Sequence, residues 1–311
     1  MAHAVESLAY ANEVPWHGLG VNVDDTISPS ELLKVAGLDW SVQKRSTFFQ
    51  TNAGEFVPTG KWALIRSTDD AVLSPSMAEG WEPCQNSTAL EFFTEFCRAG
   101  EMKMETAGSL KGGKFVFALA KIQESFQLDR RDRVDAHLLF SNPHVCGNSI
   151  NVQFTPIRVV CANTLAMALE GATSGRFRQF HTAKFDPEEA KTALGLSKNI
   201  FADFKEKAKF LSSKRYTQED LTSYFQQVFP ANDDAKGSSR RALLCMSNLE
   251  SQPGAEMSEG SWWQAFNTVT YVADHVLGRS ADSRMANSWF GWTRQRKQEA
   301  LGLALEMAEA A

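Results

Sequence analysis

Between Phe115 and Phe154 the chain adopts a period of two. Phe115, Phe117 and Leu119 alternate with their neighbours, then Val134, Ala136, Leu138 and Phe140, then Ile150, Val152 and Phe154. Apolar residues two apart line one face of an extended strand, because successive side chains point to opposite sides. The connections hold turn formers, residues 130–133 in the first case and Asn142-Pro-His-Val-Cys-Gly-Asn148 in the second. Neighbouring strands are therefore expected to pair antiparallel, as a three-stranded meander.

Helix starts flank that block. Ser28-Pro-Ser-Glu31 supplies a capping serine, a proline in the first turn and a glutamate able to reach back to the cap, and Gly37 follows as a stop. Thr88 and Glu91 repeat the pattern ahead of Leu90, Phe92, Phe93, Phe96 and Cys97, whose three-to-four spacing builds one apolar face that ends at Gly100. After Arg158-Val-Val-Cys161 the period predicts a helix over residues 163–169 closed by Gly171. Asp186-Pro-Glu-Glu189, Ser197 and Thr217 to Asp220 open further helices, and the last large ones run near residues 262–277 and from about Arg294. The expected class is α+β, an antiparallel β-meander core flanked by helices, with a helical C-terminal half. Residues 1–185 are read as the α+β core with an N-terminal extension, and residues 186–311 as a helical region packed on it.

The totals narrow the setting. A chain of 311 residues with 43% hydrophobic and 22% charged side chains can bury a large core, so disorder is not expected. Its longest apolar runs, such as residues 114–121, fall far short of the roughly 20 residues a bilayer span needs, so no membrane partner is expected. The start, Met1-Ala-His-Ala-Val-Glu, has neither a basic nor an apolar stretch of the kind a leader carries. Five cysteines, Cys84, Cys97, Cys146, Cys161 and Cys245, lack the spacing of a disulfide framework and read as reduced thiols, hence a cytoplasmic protein. A net charge of -5 argues against bulk attraction to nucleic acid, yet residues 158–241 carry 14 Lys and Arg against 10 Asp and Glu.

Four stretches form a recognisable set: Val14-Pro-Trp-His-Gly-Leu-Gly20, Arg158-Val-Val-Cys-Ala-Asn-Thr-Leu165, His181-Thr182 and Asn267-Thr-Val-Thr-Tyr-Val-Ala-Asp-His275. In this order the chain resembles the phage/plasmid-like family built on a domain of unknown function, number nine-three-two of that series. The resemblance implies residence on mobile elements and work in a bacterial host's cytoplasm. It carries no catalytic residues with it.

The motif positions Trp16, His17, Gly18, Gly20, Asn163, Thr164, His181, Thr182, Asn267 and His275 each have a plain structural reading beside a functional one. Trp16 can anchor the N-terminal stretch, with the glycines allowing positive backbone dihedrals; the loop lacks the lysine and Ser/Thr of a phosphate-cradling P-loop. Cys161, His181 and Asn163 are the residue types of a thiol nucleophile, its base and an orienting amide, whereas a buried thiol and an N-cap account for them equally. His137, His144 and Cys146 do not complete a four-ligand metal site and are read as a half-exposed strand position and a solvated loop, so no metal and no cofactor is expected. Lys111, Lys114, Arg158, Arg176, Arg178 and Lys184, interleaved with Phe177 and Phe180, can line one cationic face suited to phosphates. Trp262, Trp263, Trp289 and Trp292 read as packing anchors, and Asn267, Thr270, Tyr271, Asp274 and His275 as a polar network one turn apart on a helix.

These readings rank three functions. The first is a DNA-metabolism protein that binds or anneals single-stranded DNA without catalysis, self-associating so that weak contacts multiply, since helix, meander, helix resembles the core order of phage single-strand annealing recombinases. The second is a Cys/His-dependent enzyme, and the third a phage-encoded protein that binds a host factor through its acidic residues 1–104.

Overall fold

The computed structural model describes residues 5–11, 20–158, 163–164, 176–195, 200–231, 239–279, 283–284, 287–288 and 291–310. Eleven strands are described: β1 Val5–Ala11, β2 Val21–Val23, β3 Val42–Gln50, β4 Phe56–Arg66, β5 Val72–Met77, β6 Met102–Leu110, β7 Phe115–Asp129, β8 Asp132–Pro143, β9 Ser149–Arg158, β10 Asn163–Thr164 and β11 Arg176–Phe180. The helices are α1 Pro29–Val35, α2 Asn86–Glu91, α3 Thr94–Arg98, α4 Pro187–Gly195, α5 Ile200–Ser213, α6 Gln218–Val228, α7 Arg240–Asn248, α8 Trp262–Tyr271 and α9 Trp292–Ala310. The fold is α+β, and its C-terminal part is helical.

Two compact units are present. The first holds residues 1–123, 138–153 and 176–195, the second residues 124–137, 154–175 and 196–311. The expected break between residues 185 and 186 falls within the last segment of the first unit.

The expected meander is the middle of a larger sheet. Its order is β10-β9-β8-β7-β6-β1-β2, with β11 also paired to β9. Only Arg130 and Arg131 separate β7 from β8, a link that allows an antiparallel hairpin but no parallel crossover. β6 pairs antiparallel with both β7 and β1, while β1 and β2 are parallel. A second sheet, β3-β4-β5, carries a hairpin whose distal residues Phe48, Phe49 and Phe56 are exposed. The first-unit strands β1 to β6 were not foreseen, because their apolar residues do not alternate cleanly.

Alternation proved too simple for the central strands. Val116, Phe117, Ala118, Leu119 and Ala120 are all buried, as are all residues of β8 from Val134 to Pro143. A strand covered on both faces has no solvated side, and this places His137 at 3% exposure rather than half-exposed.

Local signals fixed several helix ends. Ser28 and Glu31 form the reciprocal cap of α1, and Thr217 and Asp220 that of α6. Gly37 and Gly100 take the left-handed φ values of 64° and 73° beyond their helices. Asp186 caps α4 by accepting from the amides of Glu188 and Glu189. The expected cap at Thr88 is not formed: α2 begins at Asn86, and the N-cap residue Gln85 turns its amide onto the backbone of Val42 in β3. The single helix expected there divides around Phe92 and Phe93, both buried, whose rings pack on Phe140. Asn163 and Thr164 are a second correction. They pair with Arg158 and Ile157 as strand β10, so backbone hydrogen bonding to β9 takes the place of the expected helix start. Residues 165–171 and Ser197 lie outside the described residues.

The helices of the second unit pack around α8, in which every residue from Trp262 to Thr270 is buried. Its polar side chains Gln264, Asn267, Thr268 and Thr270 are accommodated there by donating to backbone carbonyls. Trp262 and Trp263 have no exposed surface, and the Trp263 indole donates to Asp132 Oδ2 at 3.0 Å. Beyond Tyr271 the helix widens into a π-helical turn, Val272–Val276.

Candidate nucleic-acid interface and buried polar clusters

Strand β11 reads Arg176-Phe-Arg-Gln-Phe180, and its pairing with β9 sorts these residues by face. Arg176, Arg178 and Phe180 lie on one face, opposite Gln153, Asn151 and Ser149. Phe177 points the other way, where it is buried with its ring 6.0 Å from that of Phe185. The buried phenylalanine thus fixes the direction of the two arginines.

Neutral groups hold both guanidiniums. Arg176 Nε donates to Asn151 Oδ1 at 2.9 Å, and Arg178 Nε donates to the Ser149 hydroxyl at 2.9 Å. Burial and the neighbouring charge of Arg178 press the Arg176 pKa below its ordinary value. The Arg178 guanidinium lies 4.6 Å from the centre of the Phe180 ring, and that ring is 54% exposed. Among the described residues neither arginine is paired with a carboxylate.

The other expected cations are distributed more widely. Lys111 and Lys114 occupy the turn between β6 and β7, where Lys111 has a φ of 55° and its Nζ lies 4.9 Å from the Phe115 ring centre. The Lys114 carbonyl accepts from the His144 amide, which sets this turn at the end of the sheet where β8 finishes. In sheet order β7 stands two strands from β9, roughly 10 Å at the usual strand spacing, so these lysines flank the β11 face rather than join it. Lys184 is exposed in the link from β11 to α4, as is Thr182. Arg158 ends β9 and pairs through its backbone with Asn163. Trp16, His17, Gly18, Cys161 and Trp289 lie outside the described residues. Gly20 has a φ of 109°, and a Cβ there would sit 2.4 Å from Leu8 Cδ2, so backbone freedom and close approach both require glycine.

His144 is not the solvated loop residue expected, and His181 is buried as well. They are 0% and 2% exposed, and Asn142 and Asn86 beside them are fully buried. His181 stacks on Trp81 at 4.2 Å, and its Nδ1 meets the Glu82 carbonyl at 3.0 Å. His144 packs edge-on to Trp40, and its Nε2 meets Asn86 Oδ1 at 3.1 Å. Burial, reinforced by the charge His181 would carry, pushes the His144 pKa down to about 3. Burial lowers that of His181 as well, against the backbone carbonyls of Glu82 and Pro143. Cys146 is exposed, as expected of a hairpin loop.

The second unit contains a different cluster. Asp274 in the π-helical turn accepts at Oδ1 from Lys297 Nζ at 2.8 Å and from the Ser288 hydroxyl, and Lys297 is 2% exposed. Asn267 and Thr270 are buried on α8, where Asn267 Nδ2 donates to the Trp263 carbonyl at 2.8 Å and the Thr270 hydroxyl to the Asn267 carbonyl at 2.9 Å. His275 stays partly exposed with its ring 5.0 Å from Tyr271. The sequence pointed to Asn267, Thr270 and Asp274 but not to Lys297 or Ser288, since a lysine in a charged helix gives no sign of burial.

A family model described as a domain of unknown function (DUF932) matches residues 75–301. The chain belongs to this family. The DUF932 match spans β11, the buried His144 and His181 and the Asp274–Lys297 pair, and it begins after the β3–β4 hairpin and the Trp16 motif. No curated protein and no solved structure matches the chain.

Proposed function

We propose that this DUF932 protein is a mobile-element protein of the bacterial cytoplasm that binds single-stranded nucleic acid without catalysis, through the Arg176, Arg178 and Phe180 face of β11. The observation that carries this reading is the exposed Phe180 ring stacked on the guanidinium of Arg178, on a strand whose arginines are anchored by neutral side chains. An exposed aromatic ring beside positive charge held by neutral side chains suits a flexible strand, because every base offers a π-face and every linkage a phosphate. Lys111, Lys114 and Lys184 add charge at the flanks, and self-association of subunits would multiply weak contacts. No described helix is long and apolar enough to cross a membrane.

Fluorescence anisotropy with single-stranded oligonucleotides tests the reading. Each phosphate contact contributes a slope of about 0.7 to the dependence of log K on log salt for single strands, so the double variant Arg176→Glu, Arg178→Glu should flatten that slope by about 1.4 or more. Phe180→Ala should weaken binding by about 1–3 kcal/mol at constant slope. Flat titrations of the wild-type chain at micromolar concentration and low salt would remove the proposal.

A further inference from the structure

Asn142, His144 and His181 share one arrangement. Each sets one polar atom on the short segment 82–86: Asn142 Nδ2 on the Cys84 carbonyl at 2.8 Å, His144 Nε2 on Asn86 Oδ1, and His181 Nδ1 on the Glu82 carbonyl. The remaining polar atom of each, Asn142 Oδ1, His144 Nδ1 and His181 Nε2, is buried without a hydrogen-bond partner among the described residues. Buried polar atoms are normally satisfied, so three such exceptions in one place require an explanation.

The partners decide what the unpaired atoms are. Asn86 Nδ2 donates to the carbonyls of Leu38 and Trp40 at 3.1 and 3.3 Å, so its Oδ1 accepts and His144 Nε2 carries the proton. A carbonyl likewise accepts from His181 Nδ1, and another from Asn142 Nδ2. What remains on each of the three side chains is a lone pair.

The three groups are also neighbours. Asn142 and His144 flank Pro143, whose carbonyl lies against the His181 ring, and the charge of one imidazole bears on the other. A single water can donate only two hydrogen bonds, whereas a metal ion accepts electron pairs from all sides. The far nitrogen of each ring is held by an oxygen acceptor, the arrangement that fixes the tautomer and direction of metal-binding histidines. Among the described residues no three His, Cys, Asp or Glu side chains form a cation cluster; the third buried lone pair here is the amide oxygen of Asn142.

We propose that His144 Nδ1, His181 Nε2 and Asn142 Oδ1 are the protein ligands of a buried divalent transition-metal ion of the zinc class. Two imidazoles and an amide oxygen suit such ions better than the all-oxygen shells of magnesium or calcium. The site ties the end of β8 and the residue after β11 to segment 82–86, independently of any nucleic-acid binding.

The test uses the full chain, stripped with a chelator and dialysed, then titrated with zinc chloride by calorimetry and with cobalt chloride by absorption and proton NMR. The expected result is one equivalent of zinc, with His144→Ala and His181→Ala each weakening uptake at least tenfold while circular dichroism is unchanged. Asn142→Asp, which adds a charged oxygen, should tighten it. Should the alanine variants fail to fold, cobalt in the wild-type chain must still shift two imidazole N–H resonances, those of His144 Nε2 and His181 Nδ1. No uptake by the folded wild-type chain at tens of micromolar metal would overturn the proposal and leave a buried water as the occupant. Uptake indifferent to both histidines, or cobalt spectra without shifted imidazole protons, would overturn it too.

Discussion

Replacing Asp274 by asparagine isolates the electrostatics of the second unit's core. Lys297 is buried, and burial lowers its pKa while the charge and hydrogen bond of Asp274 act to raise it. In Asp274→Asn the amide keeps the shape and a contact for Ser288, but burial and the neighbouring charge of Arg294 then act on the amine without the charge of Asp274 to offset them. Breaking a buried pair on one side costs about 3–5 kcal/mol. An independent ceiling comes from the lysine's escape, which is to lose its proton: from an ordinary pKa of about 10.4, that costs about 4.6 kcal/mol at pH 7. The sign follows from proton counting. The folded variant binds fewer protons than the unfolded chain, whose lysine remains charged, so its stability rises with pH up to the unfolded pKa. Between pH 7 and pH 9 the cost of neutralisation falls by about 2.7 kcal/mol. Urea unfolding followed by circular dichroism should therefore show a deficit of about 3–5 kcal/mol at pH 7 that shrinks by up to about 2.7 kcal/mol at pH 9, relative to wild type. The double variant Asp274→Leu, Lys297→Met, with no charge left to strand, should recover most of the loss. A deficit below about 1 kcal/mol at pH 7, or one equally large at pH 9, would refute the reasoning, since the buried amine would then not depend on Asp274.

Three further outcomes are expected. Gly108→Ala places a Cβ 2.5 Å from the Ser7 carbonyl oxygen and 3.2 Å from Leu8 Cα, both backbone atoms that cannot swing away, so thermal denaturation should show a loss of about 1–3 kcal/mol; an unchanged melting temperature contradicts the β1–β6 pairing. Trp263→Phe keeps the aromatic volume but removes the indole donor 3.0 Å from Asp132 Oδ2, for an expected cost of about 1–3 kcal/mol by urea unfolding, and a neutral result would show that this hydrogen bond is dispensable. Burial drives the Cys84 thiol up to about 12 and raises that of Cys245, whereas Cys146 is exposed, so an aromatic disulfide reagent at pH 8 should label Cys146 first and reach the other two only in denaturant; mass spectrometry showing equal native labelling would be the contrary result.

Much of the architecture is local and therefore legible in the sequence. Ser28 with Glu31, and Thr217 with Asp220, bond to amides within their own turn, so their capping survives any change of surroundings. The strands at Phe115, Val134 and Ile150 rest on a period of two and on turn residues between them, and they lie side by side as expected. The tryptophans that open the helix at Trp262 read as packing anchors, and Trp262 and Trp263 are both fully buried. The family was legible in short motifs without reference to any contact, and three of the four lie within the matched residues 75–301.

What failed to show in the sequence depends on partners far away along the chain. Gln85 rather than Thr88 stands at the start of α2 because its amide meets β3, and Asn163 pairs with β9 instead of capping a helix. The direction of Arg176 and Arg178 was set when Phe177 was buried beside Phe185. His144 read as a loop residue and His181 as a motif position and candidate base; only folding brings their rings onto segment 82–86 and buries them. Lys297 became a buried cation in the same way, through Asp274 and Ser288. Sequence by itself determined where backbone hydrogen bonds close nearby and which family the chain joins. Desolvation, which turns an ordinary histidine or lysine into an unusual one, acts only where distant segments exclude solvent together, and so the tertiary structure alone decided it.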